Sequence, residues 1–192
     1  DGRIVVVGGK VHRRPQKRAD YILRYKRDFP IAVVEAKASY KCAGDAVQQA
    51  KDYAQILGLT FAYATNGHEI IEIDFSTGQE TEVATFPTPD ELWSRLRTSQ
   101  QITDEAAHRV LAPSYHLSGK SPRYYQEIAI NRSVQAILGG KKRVLLTMAT
   151  GTGKTVVAFQ ICWKLWNSRW NRDGEYRRPK ILYLADRNIL VD

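Results

Sequence analysis

The first half of the chain alternates short apolar runs with polar turns. Residues 3–7 (RIVVV) predict a strand stopped at Gly8-Gly9, and a polar, basic stretch follows from His12 to Arg18. Residues 19–25 (ADYILRY) carry a period of two with Asp20, Ile22 and Arg24 on one face, the mark of a half-buried strand. Lys26 to Pro30 reads as a turn, with a break at the proline. Residues 31–38 (IAVVEAKA) read as a buried strand, and 43–57 as a helix with apolar residues recurring at three and four. Gly58 suits its C-cap. A strand at 61–65, the Asn66-Gly67 tight turn and a partner strand at 69–75 complete a hairpin.

The second half changes period. Thr88-Pro89-Asp90-Glu91 is a capping box with proline at the first helical position, and it opens a helix through Arg97. Residues 98–120 lose periodicity and contain Pro113, Ser114, Ser118 and Gly119, so they predict a linker. Then come a helix at 123–138, a strand at 142–149, a Gly-rich turn, a helix near 154–167, a polar loop and a strand at 180–185. The order is a mixed α/β module over 1–97, a linker over 98–120, and a βαβ unit from 121 to 192.

Composition narrows the possibilities. The chain has 192 residues, of which 43% are hydrophobic and 26% charged, an ordinary folded balance that excludes a disordered tail or a coiled coil. No apolar run has the length of a membrane span. The histidines show no HExxH spacing, and the two cysteines, Cys42 and Cys162, form no zinc or disulfide framework, which fits a reducing cytoplasm. The net charge of +9 is uneven: residues 1–30 carry +6, 61–112 carry −6, and 113–192 carry +9. Two basic stretches therefore flank an acidic one, as expected of separate modules with polyanionic partners.

Two constellations carry chemistry. In the first, Glu35 and Lys37 are two apart on one strand, so both project from the same face. They interrupt an otherwise apolar run, where charge is costly unless it serves a site. A hairpin return would bring Asp20 beside Glu35. Asp20 and Glu35 offer hard oxygen ligands for Mg²⁺, the Ala36 carbonyl a further one, and Lys37 a group to orient water and offset charge on phosphorus. Gln49 and Tyr53, four apart, share a helix face from which they can steady Lys37. Arg13, Arg14, Lys17 and Arg18 form a candidate phosphate-binding edge for DNA.

In the second, Thr150-Gly151-Thr152-Gly153-Lys154-Thr155 follows a predicted strand and opens a predicted helix, the context of a phosphate-binding loop. Lys154 would reach ATP phosphates and Thr155 would ligate Mg²⁺. Met148 stands where the GxxxxGK[ST] form wants glycine, but Ala149–Thr155 fits AxxGxGKT. Upstream, Arg123-Tyr124-Tyr125-Gln126 supplies a glutamine amide able to read adenine, with Arg123 and Tyr125 beside it. The tryptophans 163, 166 and 170, at i, i+3 and i+7, read as core packing. No DExx box follows, so the chain by itself is expected to bind ATP without turning it over efficiently.

Asp20, Glu35-Ala36-Lys37 and Gln49-(3)-Tyr53 resemble the PD-(D/E)xK nucleases with a QxxxY helix. RYYQ and Ala149–Thr155 resemble the adenine-reading motif and motif I of superfamily 2 helicases, and Ile181–Asp192 resembles their motif Ia region. In this order they resemble the motor (R) subunit of type I restriction enzymes. The resemblance implies a mixed-sheet restriction-endonuclease-like domain followed by the start of a RecA-like parallel α/β helicase domain. It also implies cleavage of double-stranded DNA after ATP-driven translocation, with Mg²⁺ and ATP as cofactors and methyltransferase and specificity subunits as partners. On that resemblance, the helix that precedes the first nuclease strand lies before Asp1. The competing readings are a repair or anti-phage helicase–nuclease fusion, and a non-catalytic DNA-docking module.

Overall fold

The computed structural model describes residues 4–8, 10–13, 18–116 and 122–184, with backbone only at 4–7 and 10–13. It divides into two compact units: residues 1–25 with 30–96, and residues 26–29 with 97–192.

The first unit is built on a five-stranded sheet in the order β3-β4-β5-β6-β7, beside a separate two-stranded antiparallel ladder of β1 (Ile4–Val7) and β2 (Lys10–Arg13). β3 (Tyr21–Lys26) and β4 (Phe29–Ala36) are joined by two turn residues. β4 runs through Pro30 rather than breaking there; at the second position of a strand a proline is tolerated because little of the ladder depends on its missing N–H. A 3₁₀ turn (Ala43–Ala46) leads into α1 (Val47–Leu57), which carries the chain over to β5 (Phe61–Thr65), parallel to β4. Gly58 ends α1 in the left-handed conformation at φ 66°, as its C-cap position requires. The Asn66-Gly67 turn, with Gly67 at φ 90°, returns the chain as antiparallel β6 (Ile70–Asp74), and β7 (Gln79–Glu82) adds an exposed edge that the sequence pattern does not announce. Four consecutive polar residues have no period-two apolar face to read.

The register decides the faces. Val33 pairs with Ala62 and Glu35 with Ala64, so Val33, Ala62 and Ile73 pack with Ala50, Tyr53 and Ala54 of α1, and Glu35 lies on that same face. On the other face lies α2 (Pro89–Ser99), opened by the predicted capping box: the Thr88 amide donates to Glu91 Oε2 at 2.6 Å, and the Glu91 amide to Thr88 Oγ1 at 3.3 Å. Arg95 of α2 donates to Glu72 at 2.7 and 3.1 Å and to Asp74 at 2.8 Å, and sits 4.8 Å from the Phe61 ring centroid.

The second unit packs α3 (Asp104–Val110), α4 (Tyr124–Leu138) and α5 (Lys154–Asn167). α3 lies inside the stretch read as a linker; Thr103 caps it by accepting the Ala106 amide at 3.2 Å. Lys164, only 1% exposed, donates to the Val110 carbonyl and Asn131 Oδ1 at 3.2 and 3.1 Å. Gln160 closes both backbone groups of Tyr115, at 2.8 and 2.7 Å. The buried line of α5 therefore runs through Val157, Gln160, Lys164 and Leu165, and the tryptophan stripe read as core is only half-buried. The rings of Trp163 and Trp166 lie 5.8 Å apart and are tilted by 30° to each other, and Arg178 lies over Trp166.

Two predicted strands are not formed among the described residues. Segments 143–149 and 180–184 carry no ladder, and Leu145 and Leu182 are 91% and 82% exposed. A strand of a parallel sheet gets its hydrogen bonds only from neighbouring strands, and neither segment has one here. The apolar pattern is real, but pattern alone cannot supply a pairing partner. Ala185 and the rest of the motif Ia region, including Asp186 and Arg187, lie outside the described residues.

Candidate functional site

In the first unit the end of β4, the edge strand β3 and α1 converge. Asp20 stands just ahead of β3, and its Oδ2 accepts the Ala36 amide at 2.8 Å. This bond fastens the carboxylate next to Glu35. Glu35 is 3% exposed and projects toward α1 because it shares Val33's face. Its Oε2 is buried with no hydrogen-bond partner. Burial first, and then the negative charge of Asp20, push the Glu35 carboxyl above its ordinary range; Lys37 pulls it back down. Lys37 follows the strand, its own amide donating to the Thr65 carbonyl at 2.8 Å, which continues the β4–β5 pairing by one residue. Its ammonium donates to Glu35 Oε1 at 3.5 Å and to Gln49 Oε1 at 2.9 Å. Gln49 in turn donates to the Tyr53 hydroxyl at 3.2 Å. Asp20, Glu35, Lys37, Gln49 and Tyr53 thus form one connected group, reached from two strands and one helix.

A buried carboxylate oxygen without a donor, beside a second carboxylate, is a place for a cation. Among the described residues no cluster of three or more His, Cys, Asp or Glu side chains is present. That limits the fit to ions content with two carboxylates, a carbonyl and water or phosphate, which is how Mg²⁺ is commonly held. Of the basic edge, Arg18 is exposed; Arg14, Lys17 and the Arg13 side chain lie outside the described residues.

By sequence, Asn66-Gly67 reads only as a turn. The structure gives Asn66 a second role. Its buried amide donates to the Lys41 carbonyl at 2.8 Å, while its Oδ1 accepts the His68 and Glu69 amides at 3.0 and 2.8 Å. The one signal in the sequence is that asparagine side chains bond nearby backbone.

In the second unit the phosphate-type loop precedes α5. Gly151 and Gly153 take φ of 78° and 81°, which side chains resist, and Lys154 opens the helix. Lys154 Nζ lies across the loop, donating to the Met148 and Ala149 carbonyls at 3.3 Å each. Thr152 Oγ1 also donates to Ala149, at 2.6 Å. Thr155 is exposed on the first turn of α5, and Thr150 precedes the glycines. Gln126, in the first turn of α4, spends its amide within the protein: Oε1 accepts the Arg123 amide at 2.9 Å and Nε2 donates to the Thr152 carbonyl at 2.9 Å. Any Cβ on Gly153 would stand 2.5 Å from that nitrogen, so the contact demands glycine. Arg123 donates to the Tyr125 hydroxyl at 3.0 Å. The structure therefore joins Gln126 to the loop directly, a link the sequence spacing of these motifs does not show.

The comparisons with known proteins divide along the same lines. Residues 6–87 match the family model of the type I restriction enzyme R protein N terminus, and residues 119–192 match that of the type III restriction enzyme res subunit. The whole chain is 43% identical, over 200 aligned positions, to the type I restriction enzyme EcoAI endonuclease subunit of Escherichia coli. The chain belongs to the R-subunit family of type I restriction enzymes. A second relative, the EcoKI endonuclease subunit of Escherichia coli strain K12, is 29% identical over 69% of this chain and 11% of its own length. A solved fragment of an HsdR subunit of a type I restriction enzyme from Vibrio vulnificus YJ016 is 62% identical, with a TM-score of 0.83, over 94% of this chain and 34% of that one. This R-subunit chain spans 24% of the length of the EcoAI subunit. No helix among its described residues is long and apolar enough to cross a membrane.

Proposed function

We propose that the first unit cleaves double-stranded DNA and that the second binds ATP to power translocation, the two acting in a cytoplasmic complex with methyltransferase and specificity subunits. In this reading the nuclease domain takes residues 1–97 and the opening part of the motor takes 121–192. The observation that carries it is the Asp20–Glu35–Lys37–Gln49–Tyr53 group, in which two carboxylates meet beside an ammonium held from a helix.

Asp20 and Glu35 would hold Mg²⁺, Glu35 through the buried oxygen that has no other partner. The ion, when bound, polarises the phosphoryl oxygen and lowers the pKa of a water. Lys37 does the rest of the positioning: its ammonium, held at 2.9 Å by Gln49, orients the attacking water and offsets charge gathering on the phosphate. Gln49 is kept in its rotamer by Tyr53, so the helix sets where the lysine points. In the second unit Lys154 would leave its two loop carbonyls for the ATP phosphates, Thr155 would hold Mg²⁺, and Gln126 would read the adenine with the N–H and the oxygen lone pair that the Thr152 carbonyl and the Arg123 amide leave over. The chain's similarity to endonuclease subunits of type I restriction enzymes favours this reading over a repair fusion or a non-catalytic docking module.

The test is Lys37→Ala in the complete enzyme. DNA cleavage is expected to vanish while ATP hydrolysis and translocation continue; cleavage at the wild-type rate would overturn the nuclease assignment.

A further inference from the structure

The connector between Lys37 and α1 does not behave as an idle loop. The Lys41 amide donates to the Ala38 carbonyl at 2.9 Å, closing a four-residue turn whose tip is Ser39-Tyr40. Both sides of this turn are fastened to the β5–β6 region. On the entry side the Lys37 amide bonds the Thr65 carbonyl at 2.8 Å. On the exit side the buried Asn66 amide holds the Lys41 carbonyl at 2.8 Å, and Glu69 Oε2 accepts the Ala43 amide at 3.4 Å. A turn held this way is ordered before anything binds it, so contact through it loses little conformational entropy.

What it presents is unusual for so fixed a place. Tyr40 is 85% exposed, and Lys41 beside it is exposed. Single exposed aromatics are ordinary on protein surfaces. This one stands on a pinned tip three residues after the lysine of the candidate cleavage group, in a stretch (residues 36–42) whose only charged side chains are Lys37 and Lys41. Three Cα steps span at most about 11 Å. Successive phosphates of one DNA strand are separated by an axial rise of about 3.4 Å. A strand whose scissile phosphate reaches Lys37 therefore has its flanking nucleotides within range of Tyr40 and Lys41.

We propose that the turn Ala38–Lys41 is a DNA-contacting element of the cleavage centre. Tyr40 lays its ring against the sugar and base next to the scissile phosphate, Lys41 takes a neighbouring phosphate, and Asn66 is the positioning residue that aims both. The proposal rests on the nuclease reading above and adds to it the surface that seats the substrate strand. An aromatic face serves here because every nucleotide offers an apolar face whatever its base, which suits an enzyme centre that must hold a strand without reading it. The turn also connects β4 to α1, so a strand pressed on it pushes on the same segment that spaces Lys37 from Gln49.

The experiment uses the complete enzyme and duplex DNA. Three variants, Tyr40→Ala and Lys41→Ala on the exposed tip and Asn66→Asp at the buried amide beneath it, are followed by single-turnover cleavage, ATP hydrolysis and translocation, with Lys37→Ala as the control. Asn66→Asp keeps the oxygen that accepts the His68 and Glu69 amides and removes the amide that donates to the Lys41 carbonyl at 2.8 Å and to Glu69 Oε2 at 3.4 Å. Cleavage by Tyr40→Ala is expected to fall about tenfold, the loss of one aromatic contact to a nucleotide, with translocation unchanged. Lys41→Ala is expected to weaken cleavage most at low salt, its salt dependence becoming shallower by about one counterion. Asn66→Asp, which sets a carboxylate oxygen against the Lys41 carbonyl, is expected to slow cleavage with ATP hydrolysis and translocation unchanged. A photo-crosslinking residue placed at Tyr40, p-benzoylphenylalanine, is expected to attach to the DNA. Cleavage by Tyr40→Ala within threefold of wild type, or a crosslink to another subunit instead of DNA, overturns the proposal. If Lys37→Ala itself cuts at the wild-type rate, it is the nuclease reading that fails; if Lys37→Ala is inactive and Tyr40→Ala cuts normally, only the DNA-contacting turn does.

Discussion

Gln49→Met isolates the helix's hold on Lys37. Methionine matches glutamine closely in length and is a good helix former, so α1 and its packing against the sheet are kept. What disappears is the 2.9 Å acceptor for the Lys37 ammonium and the 3.2 Å donor to Tyr53. A hydrogen bond to a charged group contributes about 1.5–3 kcal/mol. The Lys37 side chain is 22% exposed, so water replaces part of the lost acceptor and the low end of that range applies. About 1.5 kcal/mol is roughly a tenfold change in rate. The freed ammonium is left with Glu35 Oε1, now 3.5 Å away, and closes on it, which takes the positive charge away from the phosphate. Cleavage is therefore expected to slow by about tenfold or somewhat more, while ATP hydrolysis and translocation hold. The assay is single-turnover cleavage of supercoiled DNA by the complete enzyme at saturating Mg²⁺ and ATP. Gln49→Glu, which restores an acceptor and adds charge, should bind Lys37 more tightly still and fail to restore the rate. Cleavage within twofold of wild type in Gln49→Met would refute the reasoning, because the lysine would then be positioned by something other than α1. A parallel fall in ATP hydrolysis would refute it too, since the change would not be local.

Two further outcomes concern stability. Arg95→Leu leaves the buried Glu72 and Asp74 without their cation; breaking a buried pair costs about 3–5 kcal/mol, and with Arg95 37% exposed, water lowers this to roughly 2–3 kcal/mol in urea unfolding. Adding Glu72→Gln should recover part of the loss; no recovery would mean the arginine acts by packing on Phe61 alone. Burial pushes the Lys164 ammonium down to about 8, although Asp28 and Glu127 pull it upward. Between there and the usual 10.5 the unfolded chain binds a proton that the folded one has released, so this group adds stability as pH rises through that window. From pH 7.5 to 10 the wild type should gain about 2 kcal/mol relative to Lys164→Met; a gap independent of pH would show that the lysine stays charged.

The chain of residues already determined much of this. Period two around Val33 put Glu35 and Lys37 on one face whatever the rest of the fold did, since strand geometry leaves no alternative. The spacing of four placed Gln49 and Tyr53 together for the same kind of reason, as helix pitch is a local property. Local chemistry also announced the Thr88–Glu91 cap, the Asn66-Gly67 turn and the glycine loop before α5. Tertiary structure decided what depends on partners distant in sequence. It set the Asp20 bond to the Ala36 amide, the grip of Asn66 on Lys41, and the tie from Gln126 to Thr152, each a bond between segments at least sixteen residues apart. It buried Lys164 and left the tryptophan stripe half-exposed, because which face of an all-round apolar helix turns inward is settled by its neighbours and not by its own pattern. It also withheld the strands expected at 142–149 and 180–185, whose described residues lack a ladder. Apolar sequence gives a segment the capacity for a parallel sheet, but only an adjacent strand supplies the hydrogen bonds that make it one.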